Sequence, residues 1–174
     1  MPALAHIGIG LLAKKFAPKA SLWLLIVGAM MLDIIWVLFF YLPFKWISHG
    51  LFMAIIWSIL SFFICLIITK IMNSKKAKSS TSSPSVMRHP IIQTSIFFGL
   101  LVFSHWVLDF IGWPMSVIDP NATGTPLLFN DSQTIGLGVY GSWVGALSMD
   151  LGIFLVGLGI YFKTRKELRK EKKK

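Results

Sequence analysis

Four apolar runs dominate this chain: Leu22–Leu42, Leu51–Thr69, Ile91–Trp113 and Val139–Phe162. A bilayer core of roughly 30 Å takes ~20 residues of α-helix, so each run is long enough to cross one. With 55% hydrophobic residues and a mean hydropathy of +0.72 over 174 residues, the chain carries more apolar surface than a small soluble globule can bury. The expectation is an all-α integral membrane protein with four transmembrane helices in a single membrane domain, residues 1–174. Ahead of them, Ala3–Ala13 is apolar apart from His6 and is closed by Lys14 and Lys15. It is too short to span, which predicts a half-inserted or re-entrant N-terminal helix within residues 1–21.

The formal net charge of +10 does not point to nucleic acid, because the basic residues avoid the apolar runs and collect beside them. Counted between the runs, 16 of the 17 Lys and Arg fall on one side of the bilayer, Lys45 being the exception. The positive-inside rule then makes both termini and the Lys70–Pro90 loop cytoplasmic, with Phe44–Trp46 and Pro114–Gly138 outside. Two helical hairpins follow, 22–72 and 91–162, joined by a Lys- and Ser-rich cytoplasmic linker, 73–90, and followed by a basic tail, 163–174. The outer loop 114–138 carries turn signals around Pro126-Leu127-Leu128-Phe129 and is long enough to fold back as a lid. Trp23, Trp46, Trp113 and Trp143 read as interfacial anchors, Cys65 as a packing residue, and Gly141-x-x-x-Gly145 as a place where a neighbouring helix approaches closely. Arg88-His89-Pro90 reads as a helix start on the cytoplasmic side, away from any site.

Ionisable residues inside apolar runs cost at least ~2.5–3.5 kcal/mol each on insertion scales, so they face one another, a polar cavity or an ion. His105 and Asp109 are four residues apart and therefore share one helix face. Counting down from the outer helix ends at ~1.5 Å per residue puts Asp33, His105 and Asp150 roughly 12–14 Å deep, Asp109 about 6 Å deep and His49 at the rim. His6 reaches the same layer if the N-terminal helix dips inward from Lys14 and Lys15. Imidazoles and carboxylates at one level without cysteine suit Zn²⁺, with Mn²⁺ or Fe²⁺ as alternatives. Such an ion would acidify a bound water and polarise a phosphoryl or carbonyl oxygen, which makes hydrolysis the natural chemistry. Asp33 or Asp109 would serve as general base, and Asp150 is a second-tier ligand that could instead simply bond a neighbouring helix. Two other functions use the same composition: an ion- or proton-coupled transporter, or a non-catalytic membrane protein whose basic tail binds anionic lipid. The absence of ionisable residues at inner depths argues against the transporter.

The ordered set of Met1-Pro2-Ala3-Leu4-Ala5-His6, Asp33, His49 and His105-x-x-x-Asp109 resembles the YdjM-like family of membrane-bound metal-dependent hydrolases, themselves similar to the zinc-dependent phospholipase C superfamily. The resemblance covers roughly the first two thirds of the chain. It implies that Asp33, His49, His105 and Asp109 bind one metal, that Asp109 bridges to a second held partly by His6, and that the substrate is a small-molecule or lipid phosphoester reached in a bacterial cytoplasmic membrane. Leu32-Asp33-Ile34-Ile35 stands where that family usually has Pro-Asp-x-Asp, and Trp46-Ile47-Ser48-His49-Gly50 where it has Arg-Gly-x-Thr-His-Ser. The phospholipase's further histidine pair and glutamate have no counterpart here.

Overall fold

The computed structural model describes residues 3–39, 46–77, 84–117, 120–128 and 132–171. The expected outward loop Phe44–Trp46 falls almost entirely outside them, as do the middle of the 73–90 linker and the last three lysines of the tail.

The chain is mostly helical, in the order α1 (Ala3–Ala13), α2 (Leu22–Ala29), α3 (Met31–Leu38), α4 (Trp46–His49), α5 (Leu51–Ala77), α6 (Pro84–Gly112) and α7 (Trp143–Glu171). Three of these, α5, α6 and α7, contain segments long and apolar enough to cross a membrane: Leu51–Met72, Pro90–Gly112 and Trp143–Glu171. The stretch expected to form the first span is two eight-residue helices instead, broken at Met30. Ser21 caps α2 by accepting from the Leu24 amide. At the break the Met30 amide is shared between the Ile26 and Val27 carbonyls. The Ala29 carbonyl there accepts a side-chain hydrogen bond from α6. An apolar run shows hydrophobicity but not a carbonyl diverted to a distant partner, so the interruption is invisible in composition.

The ends of the linker are helical, since α5 continues to Ala77 and α6 begins at Pro84, four residues before the Arg88-His89-Pro90 start read from the sequence. Proline suits a first helical position because its missing N–H has no intrahelical partner there in any case. Pro90 lies inside α6.

Helix α6 is the centre of the molecule. Its apolar segment is 56% buried, against 17% for α5 and 6% for α7. One core cluster joins α3, α5 and α6 through Leu32, Ile35, Ala54, Cys65, Phe98, Val102 and Trp106. A second joins the end of α1, its following turn, α2 and α6 through Ala13, Ala17, Ala20, Leu25, Ala29 and Leu101. Burying these side chains against one another supplies packing, which is what holds helices together where lipid tails are as apolar as leucine.

Helix α1 is wedged between α2 and α7, and glycine makes the wedge possible. A side chain on Gly8 would meet the Ile153 carbonyl of α7 at 2.6 Å, one on Gly157 would strike the Gly8 backbone, and one on Gly10 would reach Ile26 of α2 at 3.0 Å. The close approach between helices thus falls at Gly8 and Gly157, whereas Gly141 meets only the Ser116 hydroxyl among the described residues and Gly145 packs on the Val139 carbonyl just ahead of its own helix. At the far end of α1, the Gln93 amide donates to the Phe16 carbonyl at 2.7 Å and the Phe16 and Phe97 rings stack. Helix α1 therefore runs alongside α6 in the opposite sense, from Phe16 beside Gln93 to His6 beside His105.

The loop between α6 and α7 folds back on the bundle. Short strands β1 (Thr125–Pro126) and β2 (Thr134–Ile135) pair antiparallel, Thr125 opposite Ile135. The Leu127 carbonyl accepts from the Phe52 amide in the first turn of α5, and the Leu137 amide donates to the Phe110 carbonyl at the end of α6. A 3₁₀ turn, Val139–Gly141, then leads into α7.

Candidate metal centre

Helix geometry puts His105 and Asp109 on one face of α6, with His105 Nε2 3.5 Å from Asp109 Oδ2. The break at Met30 brings Asp33, in the first turn of α3, to the same point, its Oδ1 3.5 Å from His105 Nε2. The one-turn helix α4 delivers His49, whose Nε2 lies 3.4 Å from Asp33 Oδ1 and 3.6 Å from Asp109 Oδ2. The Trp57 indole anchors α4 to α5 by donating to the Ile47 carbonyl at 2.8 Å. Depth counting placed His49 at the rim and Asp33 deep. The two meet because α4 is a separate short turn ahead of α5 and α3 is a separate helix after the break.

The four facing atoms share an unusual property. Asp33 Oδ1, His49 Nε2, His105 Nε2 and Asp109 Oδ2 are buried, and among the described residues none has a hydrogen-bond partner. The far side of each imidazole, by contrast, is engaged. His105 Nδ1 bonds the Ala29 carbonyl at 2.8 Å, and because a carbonyl only accepts, Nδ1 carries a hydrogen and Nε2 is the nitrogen that faces the two carboxylates. His49 Nδ1 shares a 2.6 Å hydrogen bond with the hydroxyl of Ser48, which is itself 2% exposed. Two carboxylates held against imidazole nitrogens call for positive charge there, a proton on a ring or a cation between the groups.

His6 stands behind this group. Its ring stacks on His105 at 3.7 Å between centroids, and its Nε2 lies 3.9 Å from Asp109 Oδ1, the carboxylate oxygen turned away from His49. The structure thus brings together His6, Asp33, His49, His105 and Asp109, and two overlapping triads of ligand atoms could hold a metal ion: His6, His105 and Asp109, and Asp33, His49 and His105. His105 belongs to both but offers Nε2 alone, since Nδ1 is taken. His6, His105 and Asp109 are almost wholly buried, while the Asp33 and His49 side chains are each 13% exposed, so the group opens on their side.

Asp150 is in neither triad. Its Oδ1 accepts from the Ala5 amide at 3.2 Å and from the Tyr140 hydroxyl at 3.2 Å. Tyr140 lies in the 3₁₀ turn ahead of α7; burial above all, reinforced by the Asp150 carboxylate, pushes its phenol above the ordinary tyrosine range and keeps it a donor. The side chain of His89 lies outside the described residues. Ser48 and the Ala29 carbonyl were not legible beforehand: the first has only its place next to His49 as a signal, and the second has none.

Comparison of the chain with protein-family models, curated proteins and solved structures finds no match in any of the three.

Proposed function

We propose that this chain is a membrane-embedded, metal-dependent hydrolase of phosphoesters, of the kind the resemblance to the YdjM-like family implies, with Zn²⁺ held by Asp33, His49, His105 and Asp109. The observation that carries the reading is the spacing of the four unpaired atoms, 3.4–3.6 Å across each of the four His–Asp edges. Direct charge-assisted hydrogen bonds between these groups would draw them to ~2.7–2.9 Å. Donors ~2.0–2.2 Å from a metal ion stand roughly 2.8–3.4 Å apart, according to whether the ion has six or four of them, so edges of 3.4–3.6 Å leave room for an ion between the imidazoles and the carboxylates. The far-side bond of His105 supports a metal, since a ligating imidazole usually donates its other N–H to a fixed acceptor, here the Ala29 carbonyl; His49 Nδ1 is held in turn by its bond with the Ser48 hydroxyl.

When bound, a divalent ion supplies Lewis acidity and lowers the pKa of a coordinated water toward ~7. The residues supply the rest. Asp33, more exposed than Asp109 at 13% against 2% of the side chain, is the carboxylate that meets water arriving from the open side and takes its proton. Asp109 stays fixed, one oxygen in the cage and the other toward His6, which is also how it would bridge to a second ion. The group sits among helices apolar enough to lie in a bilayer, so a lipid phosphoester reaches it without leaving the membrane.

The test is metal analysis of the purified full-length protein alongside turnover of a phosphodiester such as bis(p-nitrophenyl) phosphate and of phospholipid head groups. The wild type is expected to hold zinc and hydrolyse one of these substrates, and H105A and D109A to lose both properties. Unchanged metal content in those two variants would overturn the reading.

A further inference from the structure

Asp150 does something other than bind the ion. The first amides of an α-helix have no partner within the helix, and in a bilayer each unsatisfied one costs several kcal/mol. Helix α1 begins at Ala3, and the amide of Ala5, in its first turn, finds its acceptor on another helix altogether, in Asp150 Oδ1 of α7. The same oxygen accepts from the Tyr140 hydroxyl, and Tyr140 is 4% exposed with its ring packed on Gly112 at the end of α6. One carboxylate oxygen therefore ties together the start of α1, the turn before α7 and, through the Tyr140 ring, the helix that carries His105 and Asp109. The next residue after Ala5 is His6, whose ring covers His105 and faces Asp109 Oδ1.

We propose that Asp150 is a positioning residue that caps α1 from α7 and thereby holds His6 against His105 and Asp109, tuning the metal cage without touching it. Two features of the packing fit this role. The backbones of Gly8 and Gly157 are in close contact two residues beyond His6, so α1 and α7 are already registered there and the Asp150 bond fixes only the final turn. Asp150 also uses an oxygen as an acceptor from two neutral donors, a task an amide oxygen performs equally well.

The inference rests on the cage reading, and the experiment separates the two. Co²⁺ affinity and the visible Co²⁺ spectrum of the detergent-solubilised full chain are measured for wild type, H6A, D150A, D150N and H6A/D150A. D150A and H6A are each expected to weaken Co²⁺ by about 10-fold, the lower end for loss of an outer partner of a metal ligand. The double variant is expected to be no weaker than either single one, because both remove the same support. D150N is expected to stay within about 2-fold of wild type, its carbonyl oxygen keeping both bonds. Multiplying effects of H6A and D150A, an unchanged D150A, or a D150N as weak as D150A would each overturn the proposal. Should the wild type bind no Co²⁺, the cage reading falls, and the cap is read by hydrogen exchange instead. Amide protection at Ala5 and His6 lost in D150A but kept in D150N supports it, and equal protection in all three contradicts it.

Discussion

Two polar clusters lie a few residues apart in the same helical packing and are opposites. Around Asp150, the acceptor oxygen is saturated: the Ala5 amide and the Tyr140 hydroxyl both point at it. Around His105, four buried atoms converge at 3.4–3.6 Å and have no hydrogen-bond partner among the described residues, while the outer nitrogens of His49 and His105 are bonded to Ser48 and to the Ala29 carbonyl. Buried polar groups left unpaired cost about 1–3 kcal/mol each, more when charged. The fold thus gives Asp150 Oδ1 two donors and leaves Asp33, His49, His105 and Asp109 facing one another in an arrangement that could hold a cation. An acidic residue in a membrane helix is thus diagnostic only together with what its oxygens touch.

The contrast predicts the sharpest effects inside the cage. H105A and D109A should weaken zinc by more than about 100-fold, beyond the range for outer partners of ligands, measured by competition with a chromophoric chelator; D150N should not. Zinc at about 1,000 times its Kd should raise the stability of the wild type by ~4 kcal/mol, seen as a thermal shift reversed by EDTA. D150N should show the same shift and H105A none. An EDTA-sensitive shift in H105A would remove the distinction between the clusters.

The wedge that brings His6 into place gives the next effect. Gly157→Ala forces a methyl group into the Gly8 backbone and should destabilise by ~1–3 kcal/mol, whereas Gly152→Ala and Gly159→Ala, with open space around both positions, should be neutral or stabilising by up to ~1 kcal/mol. Thermal unfolding in detergent compares the three directly. Smallest is S48A, which removes the hydroxyl bonded to His49 Nδ1 and should weaken zinc by about 10-fold, with S48T restoring most of it. An S48A variant with wild-type affinity would mean that His49 is oriented by its helix alone.

The sequence made the His105–Asp109 pair legible because a four-residue spacing fixes a shared helix face whatever surrounds it. The three long helices were legible because length and hydrophobicity are local properties. What composition could not convey lies between helices. At the Met30 break the Ala29 carbonyl bonds His105, 76 residues away, and Asp150 bonds an amide 145 residues away. The glycines tell the same story. Gly141-x-x-x-Gly145 has the spacing of a helix contact, yet the backbone approach is at Gly157, because Gly8 of α1 happens to oppose it.

The central claim is that Asp33, His49, His105 and Asp109 close on one ion, and X-ray absorption at the zinc edge of the purified, zinc-loaded protein addresses it most directly. The account predicts one tightly held zinc per chain with four or five nitrogen and oxygen donors at ~2.0–2.2 Å. Zinc that dialyses away, or a sulfur donor at ~2.3 Å, would contradict it.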